Sequence, residues 1–329
     1  MPPLSIATPV YNAATFLSAT IESVLAQTFS DFEYLILDDG SSDVSADIAE
    51  EYAHRDVRIR VIRQANQGIA RTRNRVFHEA RAPFVAFLDH DDIALPRRME
   101  LQLKLLERHP SVVGVGCYMQ YMRPSGDLLH ILHPPHRPED LGPYALSGEC
   151  PIATTALMVR KDAALATGGL NPAFEPADDY EFLLRLLKQG DLALVPEVLQ
   201  LYTYSPDNTS HRRAVAMLRC AKIAAALARR DEYLIPDDKD TPGSIATEEM
   251  LKSAAQGDEA AFWTDYLLSA TTHNTASQDA RKAEAMLAIR ELLRHGCTQR
   301  RRCASRILRE LSNLGLRKRL MLALRIVFG

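Results

Sequence analysis

The sequence contains two clusters of acidic residues, and each follows a short apolar stretch. One begins at Asp38-Asp39, after Phe32–Leu37, and the other is Asp89-His90-Asp91-Asp92, after Phe84–Leu88. In an extended chain residues i and i+2 point the same way, so Asp89 and Asp91 can converge. Two close carboxylates repel each other unless a cation lies nearby, and hard oxygen ligands select Mg²⁺ or Mn²⁺. The second cluster therefore predicts a metal site rather than a solvated acidic turn.

The first cluster, Asp38 to Asp43, has two interpretations. Ser42 or Asp43 can form an Asx turn and cap the next helix. Two adjacent carboxylates before the turn exceed what capping needs, and a carboxylate at a strand end can accept a hydrogen bond from a nucleobase. Asp38 and Asp39 are therefore candidates for nucleotide binding.

Two further segments place charged groups at or near predicted helix starts. Gly68 would allow close approach of the backbone to a ligand, and Arg73 carries a fixed positive charge suited to phosphate. Asp178-Asp179 would complement the dipole of the helix that they begin. A carboxylate at such a position can also be a general base that the preceding loop directs into a cleft.

Alternating strands and helices are predicted to position these groups. The predicted elements are strands at Leu4–Val10, Phe32–Leu37, Ile59–Ile62 and Phe84–Leu88, and helices at Thr15–Gln27, Asp43–His54 and Ile69–Ala80. This alternation indicates an α/β fold, with a mostly parallel sheet flanked by helices. Ligands of such sheets bind beyond the carboxyl ends of the strands, and both acidic clusters fall there.

The chain after these elements is predicted to pass from mixed to helical structure. We expect helices at Arg97–Arg108 and Tyr180–Lys188, a loop at His133–Pro143, and strands at Val112–Met122, Leu128–Leu132, Thr154–Val159 and Leu192–Tyr204. Leu128–Leu132 would return as a hairpin partner after the turn Pro124–Asp127. From His211 onward the pattern is helical, with a linker at Pro236–Gly243.

Taken in order, these motifs resemble those of family 2 glycosyltransferases with the GT-A fold. Pro9-Val10-Tyr11-Asn12 is similar to that family's Pro-x-Tyr-Asn, Asp38–Asp43 to its Asp-Asp-Gly-Ser-x-Asp, and Asp89–Asp92 to its Asp-x-Asp-Asp. Arg73-Asn74 resembles its Arg-Asn pair, and the acceptor half is represented by Gly168-Gly169 and Asp178-Asp179. The resemblance implies a GT-A domain at 1–210, with a donor half near 1–110 and an acceptor half near 111–210, before a helical region at 211–329.

The resemblance also implies a role for each matched residue. The residues that would bind the nucleotide-diphosphate sugar donor are Pro9, Tyr11, Asp38, Asp39, Gly68, Arg73, Asp89 and Asp92. Asp91, with Asp89, would ligate Mn²⁺ or Mg²⁺, and Asp92 would face the donor sugar. Asp179 would be the general base of a transfer that inverts the anomeric carbon. UDP-sugars are the first candidates for the donor, and the acceptor would be a glycan or a lipid-linked molecule.

Three positions depart from the family pattern. Asp178 stands where Glu is usual, and Arg75-Val76 follows Asn74 where a small residue and Gly are usual. Many relatives carry an Arg and a His where this chain has Thr203 or Tyr204 and Ser205. If the family's His supports the metal or the phosphates, His211 is the candidate to replace it.

The overall composition is that of a globular protein with one large domain and an appendage. The chain has 329 residues, 47% hydrophobic and 25% charged, without an apolar stretch long enough to span a membrane. Its five cysteines are widely spaced and lack a CxxC pair, which excludes a disulfide framework and a cysteine zinc site. Together with a start unlike a signal peptide, these features predict a cytoplasmic protein.

The formal net charge of -3 is unevenly distributed. Positions 281–329 hold 13 Lys and Arg against 3 Asp and Glu, so this tail carries +10 and the rest of the chain -13. Basic amphipathic helices can lie on anionic lipid, which predicts peripheral contact with the inner face of the cell membrane. The alternatives are a solvated helix face, packing on the catalytic domain, or packing on a second subunit of a homo-oligomer.

Other functions fit the sequence less well. A sugar-nucleotide pyrophosphorylase or a dinucleotide dehydrogenase would need a Gly-rich loop after the first strand, where Thr8–Asn12 stands instead. Nucleic-acid binding is not expected, because the basic residues cluster in the tail without interleaved aromatic residues. A degenerate module that binds the nucleotide sugar without transferring it stays open, although Asp91 and Asp179 are intact.

Overall fold

A computed structural model of the chain describes positions 1–256, except 206–207, 235, 237–238 and 240, and then 262, 266, 283–284 and 287–288. The described strands form one nine-stranded sheet with helices packed against it. Among these residues, no helix combines the length and the apolar character that crossing a bilayer requires. The basic segments at 300–302 and 317–319 lie outside the described residues, so the predictions made for the tail stay predictions.

The first half of the sheet is parallel. Its strands are β1 (Leu4–Val10), β2 (Phe32–Asp38), β3 (Ile59–Arg63) and β4 (Phe84–Phe87), and the helices between them are α1 (Leu17–Leu25), α2 (Ser45–Arg55) and α3 (Ile69–Glu79). β1 lies between β2 and β4, and β3 forms the edge. Every residue of β1 and β2 is buried, which fits their mainly apolar sequences. The four predicted strands are confirmed to within one residue at each end.

The second half of the sheet is mixed. Its elements in chain order are β5 (Ile93–Ala94), α4 (Arg98–Arg108), β6 (Val112–Met122), β7 (Leu128–Leu132), α5 (Pro138–Leu146), β8 (Met158–Arg160), α6 (Lys161–Ala166), α7 (Asp178–Leu186) and β9 (Asp191–Thr203). β8 joins the halves by pairing antiparallel with β4 and β6, and β9 runs parallel to β6. The hairpin of β6 and β7 is confirmed with the predicted boundaries.

Three local predictions are wrong. Positions 138–146 form α5 rather than a loop, because Pro138 fits the first turn and the buried Leu141 and Ala145 pack this segment against the body. Positions 154–156 form a 3-10 turn, and the strand begins only at 158. α2 has Val44 rather than Ser42 or Asp43 as its N-cap, and Asp43 accepts from the N–H of Ala14, in the loop after β1, and from that of Ser45, the first residue of α2.

The described helices after 208 are α8 (Thr209–Arg212), α9 (Ala214–Arg229) and α10 (Glu248–Ala255). An apolar cluster joins α9 and α10 to α7, and its members include Tyr180, Leu184, Leu218, Ile223 and Leu251. A fully buried Leu or Ile side chain contributes roughly 1.5–3 kcal/mol. The described part of the helical region therefore supports α7, whose first turn carries Asp178 and Asp179.

Candidate active site

Most of the residues predicted to bind the sugar donor lie at the carboxyl ends of the parallel strands. Asp38 ends β2, Tyr11 follows β1, and Asp89 and Asp91 follow β4. Because β1 pairs in parallel with both β2 and β4, the carboxyl ends of these three strands lie side by side. Tyr11 is 49% exposed there. Pro9 lies within β1, with its carbonyl oxygen 3.3 Å from a ring nitrogen of His90.

Asp39 holds the segment that leads into α3. Its Oδ1 accepts from Gln64 Nε2 at 2.7 Å and from the Gln67 N–H at 2.9 Å. Its Oδ2 accepts from the Gly68 N–H at 3.0 Å. The structure thus gives Asp39 three contacts to this loop, and the nucleobase contact stays a prediction.

Asp38 is buried beside it. Its Oδ1 accepts from the Ser41 N–H at 3.2 Å, and its Oδ2 lies 3.5 Å from Arg63 Nε without a hydrogen-bond partner among the described residues. The charge of Arg63 therefore compensates this buried carboxylate oxygen, and the contact of Asp38 with the nucleotide stays a prediction.

Gly68 occupies the N-cap of α3 with a left-handed φ of 89° and ψ of 165°. Only glycine adopts this combination without strain. The N–H of Ala70, in the first turn of α3, donates to Glu175 Oε1 at 3.0 Å. A loop before α7 thereby caps the start of α3, which sequence reasoning missed because the two residues are far apart in the chain.

We expect Gly68→Ala to destabilise the fold by about 1–3 kcal/mol, because alanine is strained at this φ and ψ. Its Cβ would also lie 3.4 Å from Glu175 Oε1. Urea unfolding of the variant and wild type measures the loss. Gly142→Ala is the matched control, since its added Cβ meets nothing within 4 Å and its φ is not left-handed. Equal stabilities of the two variants would contradict the account.

Arg73 joins the donor-side acids to the acceptor half. Its Nη2 donates to Asp89 at 2.8 and 3.1 Å, and its Nη1 lies 3.6 Å from Asp178 Oδ2. Burial lowers the pKa of Arg73, but the charges of Asp89 and Asp178 outweigh this effect and raise it above its usual value. The guanidinium, expected beside the donor's phosphates, thus lies between two acidic motifs that the sequence places about 90 positions apart.

The two acids at the start of α7 both have raised pKa values. Burial raises the pKa of Asp178 to about 7, against the lowering effect of Arg73. Burial also raises the pKa of Asp179, whereas Arg73 and the N–H groups of Tyr180 and Thr154 lower it. Asp179 is only half-buried, so this carboxyl with a raised pKa can meet a ligand.

Asp92 differs from the position that the resemblance implies. Its side chain is fully buried and accepts from Thr155 Oγ1 at 2.6 Å, Gln200 Nε2 at 2.9 Å and the Thr203 N–H at 2.9 Å. Because β9 supplies two of these donors, Asp92 ties the turn after β4 to β9 instead of facing a donor sugar. Burial, followed by the charge of Asp91, raises its pKa well above the usual range.

Sequence reasoning also missed Thr155 and Gln200. Thr155 Oγ1 lies 2.7 Å from Gln200 Nε2 and accepts from the Asp89 N–H at 3.0 Å, so one hydroxyl contacts both ends of the acidic turn. Neither residue belongs to a charged motif, and the pairing of β9 with β5, which follows Asp92 directly, brings Gln200 to Asp92. The side chain of His211, the expected replacement for the family's His, lies outside the described part of the chain.

Asp91 is the group best suited to a cation. Burial raises the pKa of its carboxyl, His90 lowers it, and the charge of Asp89 raises it again. A divalent cation would relieve this repulsion. In the described part of the chain, no group of three His, Cys, Asp or Glu side chains could hold a metal. Mg²⁺ commonly uses one or two carboxylates together with substrate phosphates, and the residues present fit that arrangement.

Comparison with solved structures identifies the class of this fold. S. aureus TarS 1–349 in complex with UDP-GlcNAc superposes with a TM-score of 0.60 at 13% identity, covering 88% of this chain and 89% of TarS. The mannosyltransferase PcManGT of Pyrobaculum calidifontis, in complex with GDP-Man and Mn²⁺, gives a TM-score of 0.54 at 14% identity, covering 89% and 87%. The architecture is therefore that of the GT-A glycosyltransferases, as predicted.

Sequence comparison then places the chain in a family. Residues 5–168 match the model "Glycosyl transferase family 2". The uncharacterized glycosyltransferase EpsJ of Bacillus subtilis is 37% identical over 148 residues, which is 43% of each chain. An uncharacterized glycosyltransferase of Haemophilus influenzae is 27% identical over 226 residues, covering 66% of this chain and 76% of that one. Residues 5–168 of this protein thus belong to glycosyltransferase family 2, and the part of the chain that matches EpsJ spans less than half of EpsJ.

Proposed function

We propose that this protein transfers a sugar from a nucleotide-diphosphate donor, with UDP-sugars the first candidates, to a hydroxyl of a glycan or lipid-linked acceptor. The observation that carries the proposal is the position of Arg73 between Asp89 and Asp178. This guanidinium brings the acidic turn after β4 next to the first turn of α7. A donor bound at the turn would therefore present its sugar towards Asp179.

Asp179 is the proposed general base. It would take the proton of the acceptor hydroxyl as that oxygen attacks the anomeric carbon, while the bond from this carbon to the diphosphate breaks. Attack on the face opposite the diphosphate inverts the configuration, and no covalent enzyme intermediate is needed. A half-buried carboxyl with a raised pKa is a stronger base than an ordinary Asp once it is ionised.

Mn²⁺ or Mg²⁺ would be held by Asp91, with Asp89 as a second ligand, and would offset the charge that develops on the leaving diphosphate. Arg73 would keep Asp89 oriented through its two hydrogen bonds. Asp92 would act as a positioning residue, because its contacts to β9 fix the turn that carries Asp89 and Asp91. Tyr11, which is exposed at the carboxyl end of β1, and Asp39 are the residues proposed to hold the nucleobase.

Nucleotide release tests the proposal. The wild type would be incubated with UDP-, GDP- and TDP-sugars in Mn²⁺, and the free nucleotide diphosphate would be measured with and without excess EDTA. We expect release from one donor class, lost in EDTA and restored by added Mn²⁺. Asp127→Asn removes a carboxylate from the exposed β6–β7 turn, away from the site, and should behave as wild type. No release from any donor would favour the degenerate binding module.

The division into domains and the location of the protein in the cell are proposals as well. We propose a catalytic domain at 1–210 and a helical region at 211–329 whose basic tail contacts the inner face of the cell membrane. Sedimentation with anionic vesicles tests the tail. Equal recovery of the full chain and a chain lacking 300–329 would show that the tail does not bind lipid.

A further inference from the structure

Four aromatic side chains lie together beside the acidic turn. The Tyr121 ring stacks on His130, with centroids 4.5 Å apart and planes 18° apart. Its centroid lies 5.0 Å from that of Tyr202 and 5.7 Å from that of Tyr204. His130 is exposed and the three tyrosines are half-buried, so this aromatic cluster borders solvent and is not part of a closed core.

Strand pairing explains why the rings meet. Tyr121 of β6 lies directly opposite Tyr202 of β9, and His130 belongs to β7, which pairs with β6 on its other side. Three neighbouring strands therefore each place a ring on one face of the sheet. Tyr204 follows Tyr202 by two residues and returns to the same face.

This face is continuous with the candidate active site. Gln200 precedes Tyr202 by two residues, so its side chain lies on the same face, and there it donates to Asp92 Oδ2 at 2.9 Å. Burial raises the pKa of Tyr121, and the nearby Tyr204 and Asp92 raise it further, as expected if the phenol lies close to the acidic turn. The aromatic cluster is thus adjacent to the acidic turn of the candidate active site.

The other side of the acidic turn leads to the proposed base. Thr155 Oγ1 donates to Asp92 at 2.6 Å, and the neighbouring Thr154 contributes its backbone N–H to Asp179. The Thr154 hydroxyl is itself buried and has no hydrogen-bond partner among the described residues. The same short turn at 154–156 therefore contacts both Asp179 and Gln200, the residue of β9 two positions before Tyr202.

We infer that the aromatic cluster binds a pyranose ring of the acceptor, an inference that rests on the proposed function. The C–H bonds on one face of a pyranose are attracted to the negative face of an aromatic ring, and the polar tips of Tyr and His can bond its hydroxyls. A lipid chain would favour a uniformly apolar groove, whereas each ring here carries a polar atom. The part of the acceptor that contacts the cluster is accordingly a carbohydrate, whether or not a lipid is attached elsewhere on the acceptor.

Saturation-transfer NMR with a panel of methyl pyranosides tests the inference. The nucleotide and Mn²⁺ that the protein binds would be present, so that the donor site is filled. We expect wild type to transfer saturation to at least one pyranoside. Tyr121→Ala and His130→Ala should each weaken its binding by up to about tenfold, and Tyr121→Phe should keep most of it.

Tyr118→Ala is the matched control, because Tyr118 also lies on β6 and contacts a histidine, His133, but stands outside the cluster. Equal loss in Tyr118→Ala and Tyr121→Ala, or no pyranoside bound by wild type, would overturn the inference. Nucleotide binding by each variant is measured in parallel and reports whether the variant is folded. Failure of the proposed function would instead appear as wild type that binds no nucleotide.

Discussion

Asp179→Asn is expected to lower the rate of sugar transfer by about 10²–10⁴-fold, the usual contribution of a positioned general base. Asparagine keeps the size of the side chain and can still accept from the Tyr180 N–H, as Asp179 Oδ1 does at 2.7 Å. It cannot take a proton from the acceptor. Single-turnover rates with a saturating donor measure the effect, and the affinity for the nucleotide should change little.

Asp162→Asn is the matched control for this substitution. Asp162 lies in the first turn of α6 and accepts from the N–H of the next residue at 2.8 Å, the same local contact that Asp179 makes. It is exposed and belongs to no acidic motif. A comparable loss of rate in both variants would show that the helix start matters and that Asp179 is not the base.

The pH dependence of the rate follows from the same residue. The base must be ionised to accept a proton, and burial raises the pKa of Asp179. Protonation on acidification therefore begins at a higher pH than for an ordinary Asp, and the rate should fall as the pH drops through that raised value. A rate that stays constant down to the usual range of Asp, near pH ~3.9, would contradict the assignment.

Arg73→Met is expected to destabilise the fold by about 3–5 kcal/mol, the range for breaking a buried ion pair from one side. The side chains of Arg73 and Asp178 are only 9% and 4% exposed, so solvent compensates little for the lost charge. Methionine fills similar space but leaves Asp89 and Asp178 unpaired. Urea unfolding near neutral pH measures the change.

The position of Arg73 also predicts coupling. Arg73 lowers the pKa of Asp178, so its removal pushes that carboxyl further towards its neutral form. Adding Asp178→Asn to Arg73→Met should recover part of the lost stability. Arg55→Met is the control, since Arg55 and Glu51 are 64% and 61% exposed, and it should cost no more than about 1 kcal/mol. Similar losses for Arg73→Met and Arg55→Met would contradict the bridging role.

The fold could be predicted from the sequence where one strong pattern dominates. β1 and β6 begin and end at the predicted residues, since each is a mainly apolar run bounded by turn residues. α5 was missed because prolines at 138 and 143 suggested a loop, whereas packing of Leu141 and Ala145 favours a helix there. Helix propensity is a weak local preference, and burial of apolar side chains overrides it where burial contributes more to stability.

The positions of the candidate site residues in the fold were easier to predict than their contacts. The motifs place Asp38, Asp89 and Asp91 at strand ends, and parallel pairing brings those ends together. The burial of Asp92 could not be predicted, because its donors Gln200 and Thr203 lie over 100 positions away and belong to no motif. The bridge through Arg73 was missed for the same reason: charge alone does not say which of several acids a guanidinium meets.

The most direct test of a metal-assisted donor site is the melting temperature with UDP, GDP and TDP, each with and without Mn²⁺, for wild type and Asp91→Ala. A ligand that binds only the folded state raises stability by roughly 2.7 kcal/mol at a hundredfold excess over its dissociation constant. The account predicts a shift with one nucleotide that requires Mn²⁺ and disappears in Asp91→Ala. No shift with any nucleotide, or an equal shift in Asp91→Ala, would contradict it.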